Sequence, residues 1–386
     1  MKILIVRTFP NEIDPKQYNM QEIGLAKALT KCGHTCGIVL YYGKHKDTFE
    51  KLSVATKNGE EAGEITVYRL HAFGILKNGF FPALKKIANQ YDVIQVHEYD
   101  QITSWWYYSF SKKPVVIYHG PYYHSFNKGY NLKCRIFDHT FLKLRLKEDT
   151  VCLTKSQAAA QFLRKKGFLY TEPVGVGLDT DNFSMHEEKT DLPDDLIISP
   201  DLFYLCYVGK MEERRNVYFL LNLLEKVSKR DIHIRMIIIG NGEPEYTKAF
   251  LEKAKPFIQI GLLQYRNSMN QQQLAVLYQR MQLMVFPTNY DIFGMVLLEA
   301  LFFGLPVISS KNGGADMMLD NNKYGEMLLS FDTEEWVKTI LKWKRMIEAG
   351  VVNREQNLDL TWDAIAPRFI QGYEKAIELK QNNNKR

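Results

Sequence analysis

The chain has 386 residues, enough for two domains, and its 46% hydrophobic and 24% charged residues are typical of a soluble globular protein. Its formal net charge of +6 is too small to indicate a nucleic-acid-binding protein, although it favours anionic ligands or an anionic surface. The five cysteines form no C-x-x-C pair, which argues against a disulfide framework and a zinc site and fits a reducing, cytoplasmic setting. No apolar run reaches the roughly 18 residues of a membrane-spanning helix, so we expect any membrane contact to be peripheral.

The first half of the chain alternates predicted strands and helices. A short apolar strand at 3–6 is followed by a helix at 21–29 and a second strand at 37–41. This order predicts a right-handed strand–helix–strand unit. The loop after the first strand has no G-x-G-x-x-G, which argues against a dinucleotide-binding dehydrogenase.

Two later strands each end in a histidine. Residues 91–97 and 114–119 have the apolar character of buried strands and end at His97 and His119. Ligands bind at the carboxyl ends of strands in parallel sheets, and Gly120 opens the loop that follows His119. We therefore predict that His119 contacts a ligand. The alternative for either histidine is a side chain satisfied by the loop backbone.

Basic and apolar side chains alternate across residues 133–147. This pattern is typical of a helix that lies on an anionic membrane or meets a lipid phosphate, and a solvated helix with its apolar side in the core has the same pattern. The basic members are Lys133, Arg135, Lys143, Arg145 and Lys147, and the apolar members are Ile136, Phe137, Phe141, Leu142, Leu144 and Leu146. The aromatic run 105–108 leaves a similar choice, between an acceptor platform and core packing.

Residues 172–200 separate two halves of the chain. Asp179 and Asp181 have a D-x-D spacing that can hold a divalent metal, but they follow a Gly-Leu turn, and we predict a capped turn without metal. Residues 187–200 are polar, acidic and punctuated by proline, which indicates a linker.

The second half also alternates strands and helices and predicts another doubly wound α/β domain. Its first strand, 203–208, leads into Gly209 and Lys210, and a strand at 233–239 leads into Gly240. Glycines at the ends of such strands allow close backbone approach to a ligand.

The stretch 286–314 carries most of the predicted chemistry. Its pattern indicates the end of a strand, a polar turn, a helix and a second strand at 306–309, with Gly294 just before the helix. Helix N-termini bind anions, and the carboxylates of Asp291 and Glu299 can accept hydrogen bonds from neighbouring hydroxyls. This combination predicts a ligand with a phosphate at one end and a polyol at the other, such as a nucleotide sugar.

The same stretch resembles a motif of the retaining glycosyltransferases of family 4, which have the GT-B fold. The matching positions are Asp291, Phe293-Gly294, Glu299-Ala300, Gly304, Pro306-Val307 and Gly313-Gly314. Other motifs of the family follow in the expected order at Gly33-His34, His119-Gly120, residues 177–183, residues 209–216 and Gly240-Asn241-Gly242. The chain departs from the pattern at Asp291, where Glu is usual, at Lys210 and Arg215, where the family has Arg and Lys, and at Asn216, where it has Gly.

The resemblance implies a fold and a domain division. It implies two Rossmann-like doubly wound domains facing an interdomain cleft, an acceptor-side domain at 1–188 and a nucleotide-sugar-binding domain at 189–361. The C-terminal helix, 362–386, is expected to cross back to the N-terminal domain.

The resemblance also implies roles for site residues. Lys210 and Arg215 would clamp the diphosphate and stabilise the leaving nucleotide, while Asp291 and His119 would contact the donor sugar. Glu299 would accept hydrogen bonds from ribose hydroxyls. The other implied donor-binding positions are Gly209, Gly240, Phe293, Gly294, Met295 and Val296.

The expected activity is transfer of a sugar, with retention, from a nucleoside-diphosphate sugar to a saccharide or lipid-linked saccharide. A UDP-sugar is the favoured donor, and cell-surface polysaccharide or glycolipid assembly the expected process. We expect no metal, no other cofactor and no nucleic acid, and a cytoplasmic protein. A peripheral contact with the inner membrane face through 133–147 stays open beside the alternative of a solvated helix packed on the core. The alternatives are a nucleotide-sugar epimerase of the same fold and a non-catalytic nucleotide-sugar sensor.

Overall fold

A computed structural model describes residues 1–15, 20–56, 58–75, 77–144, 150–183, 191–319 and 323–385. The chain divides into two compact units, one formed by Met1–Asp179 with Asp359–Arg386 and the other by Thr180–Leu358. The domain boundary predicted at 188/189 lies outside the described residues. None of the described helices is both long and apolar enough to span a membrane.

The first unit is built on an eight-stranded sheet with the order β10-β9-β8-β7-β1-β2-β4-β3. All neighbouring strands run parallel except β3, which pairs antiparallel with β4. Its strands are β1 (Lys2–Val6), β2 (Thr35–Tyr41), β3 (Thr48–Ala55), β4 (Glu61–Leu70), β7 (Val93–His97), β8 (Val115–His119), β9 (Val151–Thr154) and β10 (Tyr170–Pro173), and a separate hairpin joins β5 (Phe73–Ile75) to β6 (Asn78–Phe80).

Helices cover the sheet of the first unit because its central strands are apolar on both faces. In β1, Ile3, Leu4, Ile5 and Val6 are all buried, as expected of a central parallel strand. The helices up to residue 179 are α1 (Gln21–Lys31), α2 (Leu84–Ala88), α3 (Ile102–Phe110), α4 (Lys128–Phe137) and α5 (Gln157–Arg164), and a π-helix at Asp138–Leu142 continues α4.

The second unit contains a six-stranded parallel sheet with the order β13-β12-β11-β14-β15-β16. Its strands are β11 (Phe203–Val208), β12 (Ile234–Ile239), β13 (Leu263–Arg266), β14 (Leu283–Phe286), β15 (Val307–Ser310) and β16 (Gly325–Leu328). Its helices are α6 (Val217–Arg230), α7 (Pro244–Gln259), α8 (Gln271–Arg280), α9 (Met295–Phe302), α10 (Ala315–Met318) and α11 (Thr333–Glu348).

The last helix, α12 (Trp362–Lys385), belongs to the first unit, as predicted. It packs against α1, β7, β8 and β9. Phe369 and Tyr373 are fully buried, and the Tyr373 hydroxyl donates a hydrogen bond to Gln95 Oε1 of β7 at 2.7 Å. The four-residue spacing of apolar positions in this helix therefore reflects a face buried in the first unit's core.

The predicted class, two doubly wound α/β units, is confirmed, but several edge elements escaped the sequence analysis. The strand β3 and the β5–β6 hairpin were not predicted, because β3 and β5 are largely exposed, β6 has only three residues, and none of them shows a continuous apolar run. The helix predicted across 133–147 begins earlier, at Lys128, and becomes π-helical at Asp138. Residues 145–147 of that prediction lie outside the described residues. The D-x-D segment forms a 3₁₀ turn, Thr180–Phe183, and Asp179 Oδ2 lies 3.1 Å from Lys27 Nζ.

Candidate functional site

The predicted donor-site residues lie where the strand order of the second unit's sheet reverses. Strands β12 and β13 extend from one side of β11, and β14 to β16 extend from the other. Such a switch point leaves a crevice at the carboxyl ends of the two central strands. The loops that follow β11 and β14 carry Arg215 and Asp291, so the topology brings these residues together.

Two glycines bring the ends of β11 and β12 into close contact. The amide of Gly209 donates to the carbonyl of Ile239 at 3.0 Å, and a Cβ at Gly240 would overlap the Gly209 carbonyl oxygen. The buried Tyr207 hydroxyl donates to the carbonyl of Lys210 at 3.1 Å. The backbone of Lys210 is thereby held, while its side chain is exposed to solvent.

A 3₁₀ turn at Glu213–Arg215 is fastened to the loop after β14. Asn289 donates its amide to the Arg214 carbonyl at 2.8 Å, and Arg214 Nη1 donates to the Tyr290 carbonyl at 3.0 Å. Asn216 ends this turn in the left-handed region, at φ 54°. Asparagine tolerates that conformation better than most residues, which explains how it replaces the family's glycine.

Arg215 and Asp291 form an ion pair in which both side chains are largely buried. Burial by itself would lower the pKa of Arg215, but Asp291, together with Tyr207 and Glu212, outweighs burial and holds that pKa above its usual value. Arg215 Nε lies 3.6 Å from Glu212 Oε1 and has no hydrogen-bond acceptor among the described residues. A buried guanidinium N–H without an acceptor is suited to an anionic ligand.

The helix α9 starts at this crevice. Its N-cap, Gly294, has φ 83°, and its carbonyl accepts hydrogen bonds from the amides of Leu297 and Leu298 at 3.0 and 3.1 Å. The amides at the start of a helix carry partial positive charge. Met295 and Val296, two of the implied donor-binding positions, occupy this first turn.

Glu299 projects from α9 as a buried carboxylate. The Tyr278 hydroxyl of α8 donates a hydrogen bond to Glu299 Oε2 at 3.0 Å, and both side chains are buried. A buried carboxylate needs such donors, because desolvation of the charge is costly without them. Tyr278 was not predicted as a site residue, since a tyrosine within an apolar helix face gives no sequence signal of this contact.

In the first unit, His119 lies at the end of β8 inside a cluster of charged residues. Its Nδ1 makes an ion-pair contact with Glu98, and its Nε2 has no hydrogen-bond partner among the described residues. Burial works to raise the pKa of Glu98, but His119 outweighs it, and the pKa is lowered. Glu98 and Asp100 follow the neighbouring strand β7 and were not predicted as site residues.

The same three side chains could in principle hold a metal, since their potential ligand atoms lie within 4.8 Å of one another. All three, however, already have protein partners. His119 contacts Glu98, and Lys133 Nζ lies 2.8 Å from Asp100 Oδ2. The expectation of metal independence therefore stays a prediction for experiment.

A second pair of ionisable side chains consists of His97, at the end of β7, and Glu22 of α1. His97 Nδ1 is 3.4 Å from Glu22 Oε1, and Arg7 Nη1 is 3.3 Å from the same oxygen. Burial lowers the pKa of His97 to about 4, although Glu22 opposes the shift. His97 is thus a buried, neutral core histidine, held by a carboxylate instead of by the loop backbone.

The second unit brings together Lys210, Arg215, Asp291, Glu299 and the start of α9 around one switch point. Gly209, Gly240 and Phe293 also lie at this edge, in the loops after their strands. His119 belongs to the first unit.

Residues 188–349 match the family described as Glycosyl transferases group 1. A probable sucrose-phosphate synthase of Thermosipho melanesiensis is 28% identical over 181 residues, which are 43% of this chain and 40% of that protein. A D-inositol 3-phosphate glycosyltransferase of Segniliparus rotundus is 23% identical over 47% of this chain and 42% of its own length. The match therefore spans less than half the length of either relative.

Solved structures match the fold of the whole chain. The sucrose-phosphate synthase of Thermosynechococcus elongatus superposes with a TM-score of 0.67 at 16% identity, over 98% of this chain and 100% of that one. The Anabaena protein HepE in complex with UDP superposes with a TM-score of 0.57 at 14% identity, over 100% of this chain and 99% of that one.

The fold defines the structural class: the chain has the GT-B fold of these solved structures. The second unit contains the residues that are similar to the glycosyl transferases group 1 family. The predicted resemblance and fold class are confirmed.

Proposed function

We propose that the protein is a retaining glycosyltransferase that moves a sugar from a nucleoside-diphosphate sugar to a saccharide or lipid-linked saccharide. The observation that carries the proposal is the switch point of the second unit, where Lys210, Arg215 and the start of α9 supply positive charge. Glu299 and Asp291 supply carboxylates that can accept hydrogen bonds from ligand hydroxyls at the same edge of the sheet. A nucleotide sugar presents both a diphosphate and the hydroxyls of two sugars to such a site.

The proposed roles follow from these positions. Lys210 and Arg215 would bind the diphosphate and stabilise the negative charge that grows on it as the glycosidic bond breaks. Glu299, held by Tyr278, would accept from ribose hydroxyls, and Asp291 from donor-sugar hydroxyls. His119, with its unpartnered Nε2, would contribute a polar contact to the sugar. Attack on the same face as the departing phosphate would account for retention.

A UDP-sugar is the favoured donor because HepE, with the same fold, was solved with UDP. The acceptor would be lipid-linked or free saccharide in cell-surface polysaccharide or glycolipid assembly. A cytoplasmic protein acting at the inner membrane face would meet such acceptors. We expect that no metal is needed, because Lys210, Arg215 and the amides at the start of α9 would bind the diphosphate.

The test is calorimetric titration of UDP, GDP and ADP into the purified protein in EDTA, followed by a donor-consumption assay with UDP-sugars. Glu299→Gln keeps the shape of the buried side chain and its hydrogen bond from Tyr278, and Lys210→Ala removes an exposed charge. We expect at least tenfold weaker nucleotide binding in both variants. Lys338→Ala, an exposed lysine of α11, is the matched control and should bind normally.

The outcomes separate the alternatives. Unchanged binding and turnover in both variants would remove the site from the proposal. Isomerisation of the donor without any acceptor would indicate an epimerase. Binding that depends on Glu299 and Lys210 without transfer or hydrolysis would indicate a sensor.

A further inference from the structure

The helix α4 and its π-helical continuation expose large aliphatic side chains to solvent. Leu132, Ile136 and Leu144 are 60%, 58% and 76% exposed. Leu132 and Ile136 are four residues apart and are therefore neighbours on one face of α4. Isolated exposed leucines are common on protein surfaces, but a row of them marks an interaction site.

This exposed row is not the face that holds α4 in the fold. Cys134 and Phe137 of α4 and Leu142 of the π-helix are buried in the first unit's core. The segment is thus apolar on two sides, one of which faces the core and one solvent. The sequence pattern suggested a choice between a core helix and a surface helix, and the structure shows features of both.

Aromatic side chains of α3 extend the exposed apolar area. Trp105 packs edge-on against Phe141 of the π-helix and against Phe110, with ring centroids 5.1 and 5.4 Å apart. Phe110 in turn contacts Trp106, whose ring is more than half exposed. Tryptophan is enriched where proteins meet the interface of a bilayer.

The charged side chains of the same area are mainly basic. Lys128, Arg135 and Lys143 are exposed, as is Lys165 at the end of α5. The single acidic residue of the described segment 123–144, Asp138, is paired with Lys166. The exposed charge left for a partner is therefore positive.

A cavity of about 570 Å³ opens between the π-helix and α5. Its lining includes Lys143, Lys165 and His139, with Tyr123 and Phe162 as aromatic walls. The wide turn of a π-helix is frequently found at functional sites. A cavity of this kind has the charge to receive a phosphate group.

We propose that this area docks the protein on an anionic lipid bilayer. The area, named here the α4 surface, consists of Leu132, Ile136, Leu144, Trp106, Phe110, Lys128, Arg135, Lys143 and Lys165. The aliphatic and aromatic side chains enter the boundary between headgroups and acyl chains, and the basic side chains bind lipid phosphates, one of them in the cavity. A bilayer fits better than a protein partner, because the cores of protein–protein interfaces are depleted of lysine.

This proposal rests on the proposed function, because a lipid-linked acceptor lies at a bilayer surface. The binding test described next does not measure sugar transfer, so the two proposals can fail separately. Vesicles of phosphatidylcholine, alone or with one third phosphatidylglycerol, are sedimented with the full-length protein at low and high salt. We expect binding to the anionic vesicles only, weakened by salt because the phosphate contacts are screened. Each basic residue at such a surface contributes roughly fivefold to partitioning.

Two double variants probe the two kinds of contact. Lys143→Glu with Lys165→Glu, and Leu132→Glu with Ile136→Glu, should each reduce binding more than tenfold. The matched controls carry the same change in charge at exposed positions elsewhere, Lys44→Glu with Lys46→Glu and Ile232→Glu with Ile260→Glu.

Controls should bind within about threefold of the unaltered protein. The proposal is overturned if the protein does not bind anionic vesicles, or if the α4-surface variants bind as well as the controls. Sedimentation velocity gives a further way to overturn the proposal. If the unaltered protein is a dimer and only the double variant Leu132→Glu with Ile136→Glu is a monomer, a second copy of the chain covers the α4 surface.

Discussion

Arg215 and Asp291 neutralise each other in the described structure, so a diphosphate that binds Arg215 must compete with a carboxylate. A resident counter-ion lowers the gain from binding an anion, because the positive charge is already balanced. The same carboxylate is proposed to hold the donor sugar. Asp291 would therefore weaken the binding of the nucleotide alone while supporting the reaction.

Asp291→Asn separates these two effects. We expect severalfold tighter binding of UDP, because Arg215 loses its competitor, together with at least tenfold slower transfer, because an acceptor for sugar hydroxyls is changed. Calorimetry and initial rates measure the two quantities. Glu213→Gln makes the same charge change on an exposed side chain of the same loop region and should alter neither. Weaker UDP binding in Asp291→Asn would contradict the competition.

The buried His97 makes the stability of the first unit depend on pH. Its pKa is lowered to about 4 from 6.5 by burial, so the unfolded chain takes up a proton in a range where the folded protein does not. The contribution of neutral His97 to the free energy of unfolding is complete above about pH 6.5 and is lost as the pH falls toward 4. Between pH 7 and pH 5 the loss amounts to about 2 kcal/mol.

Urea denaturation at pH 7 and pH 5 checks this expectation. His97→Gln should be less stable than the unaltered protein at pH 7 but should lose about 2 kcal/mol less on going to pH 5. The lowered pKa values of Glu22 and Glu98 act in the same direction at lower pH, because folding favours their charged forms. An identical loss in both proteins between pH 7 and pH 5 would show that His97 is not the group responsible.

At the scale of elements, the start of α9 depends on a residue that can adopt a positive φ. Gly294 has φ 83°, and a Cβ there would meet Leu297 Cβ at 3.5 Å and Asp291 Oδ2 at 3.6 Å, which are ordinary contacts. The cost of a larger residue is therefore backbone strain and not overlap. Relief of that strain would rotate the amides that begin the helix.

Gly294→Ala should reduce stability by about 1–2 kcal/mol and also weaken UDP binding severalfold. Gly33→Ala is a close control, because Gly33 has φ 82° and its added Cβ would meet no atom within 4 Å. It should show the same loss of stability with normal UDP binding. Chemical denaturation and calorimetry measure both variants. If Gly294→Ala bound UDP normally despite the strain, the first-turn amides would not be part of the site.

At the scale of the whole molecule, the protein consists of two units with separate sheets and separate cores. The charged cluster of His119 belongs to one unit and the switch point of Arg215 and Asp291 to the other. Two cores need not unfold together, and a ligand stabilises the part of the protein to which it binds.

Hydrogen exchange tests how these units respond to nucleotide. UDP at a hundredfold excess over its Kd should stabilise β11 and β14 of the second unit against opening by about 2.7 kcal/mol. Strands β7 and β8 of the first unit should change much less, because the residues proposed to bind the nucleotide lie in the second unit. Equal protection of both units would show that they open as one cooperative body.

Much of this architecture could be predicted from local pattern. Central parallel strands such as β1 and β12 are apolar along their whole length, and the loops after them carry the glycines that mark strand ends. Edge elements such as β3 escaped prediction because a half-exposed strand has no such run. The contact between Asp138 and Lys166 could not be predicted from local pattern either, because the two residues are 28 positions apart in the sequence.

The sequence by itself determined the two doubly wound units and the motif residues of the second unit, because periodicity, glycines and motif spacing are local properties of the chain. The return of α12 to the first unit was implied by the family resemblance. Only the tertiary structure decided which side chains meet. It paired Arg215 with Asp291, Tyr278 with Glu299 and His119 with Glu98, and it left Leu132 and Ile136 in solvent. Such contacts depend on how strands are ordered and helices packed, and this order follows from burial across the whole core.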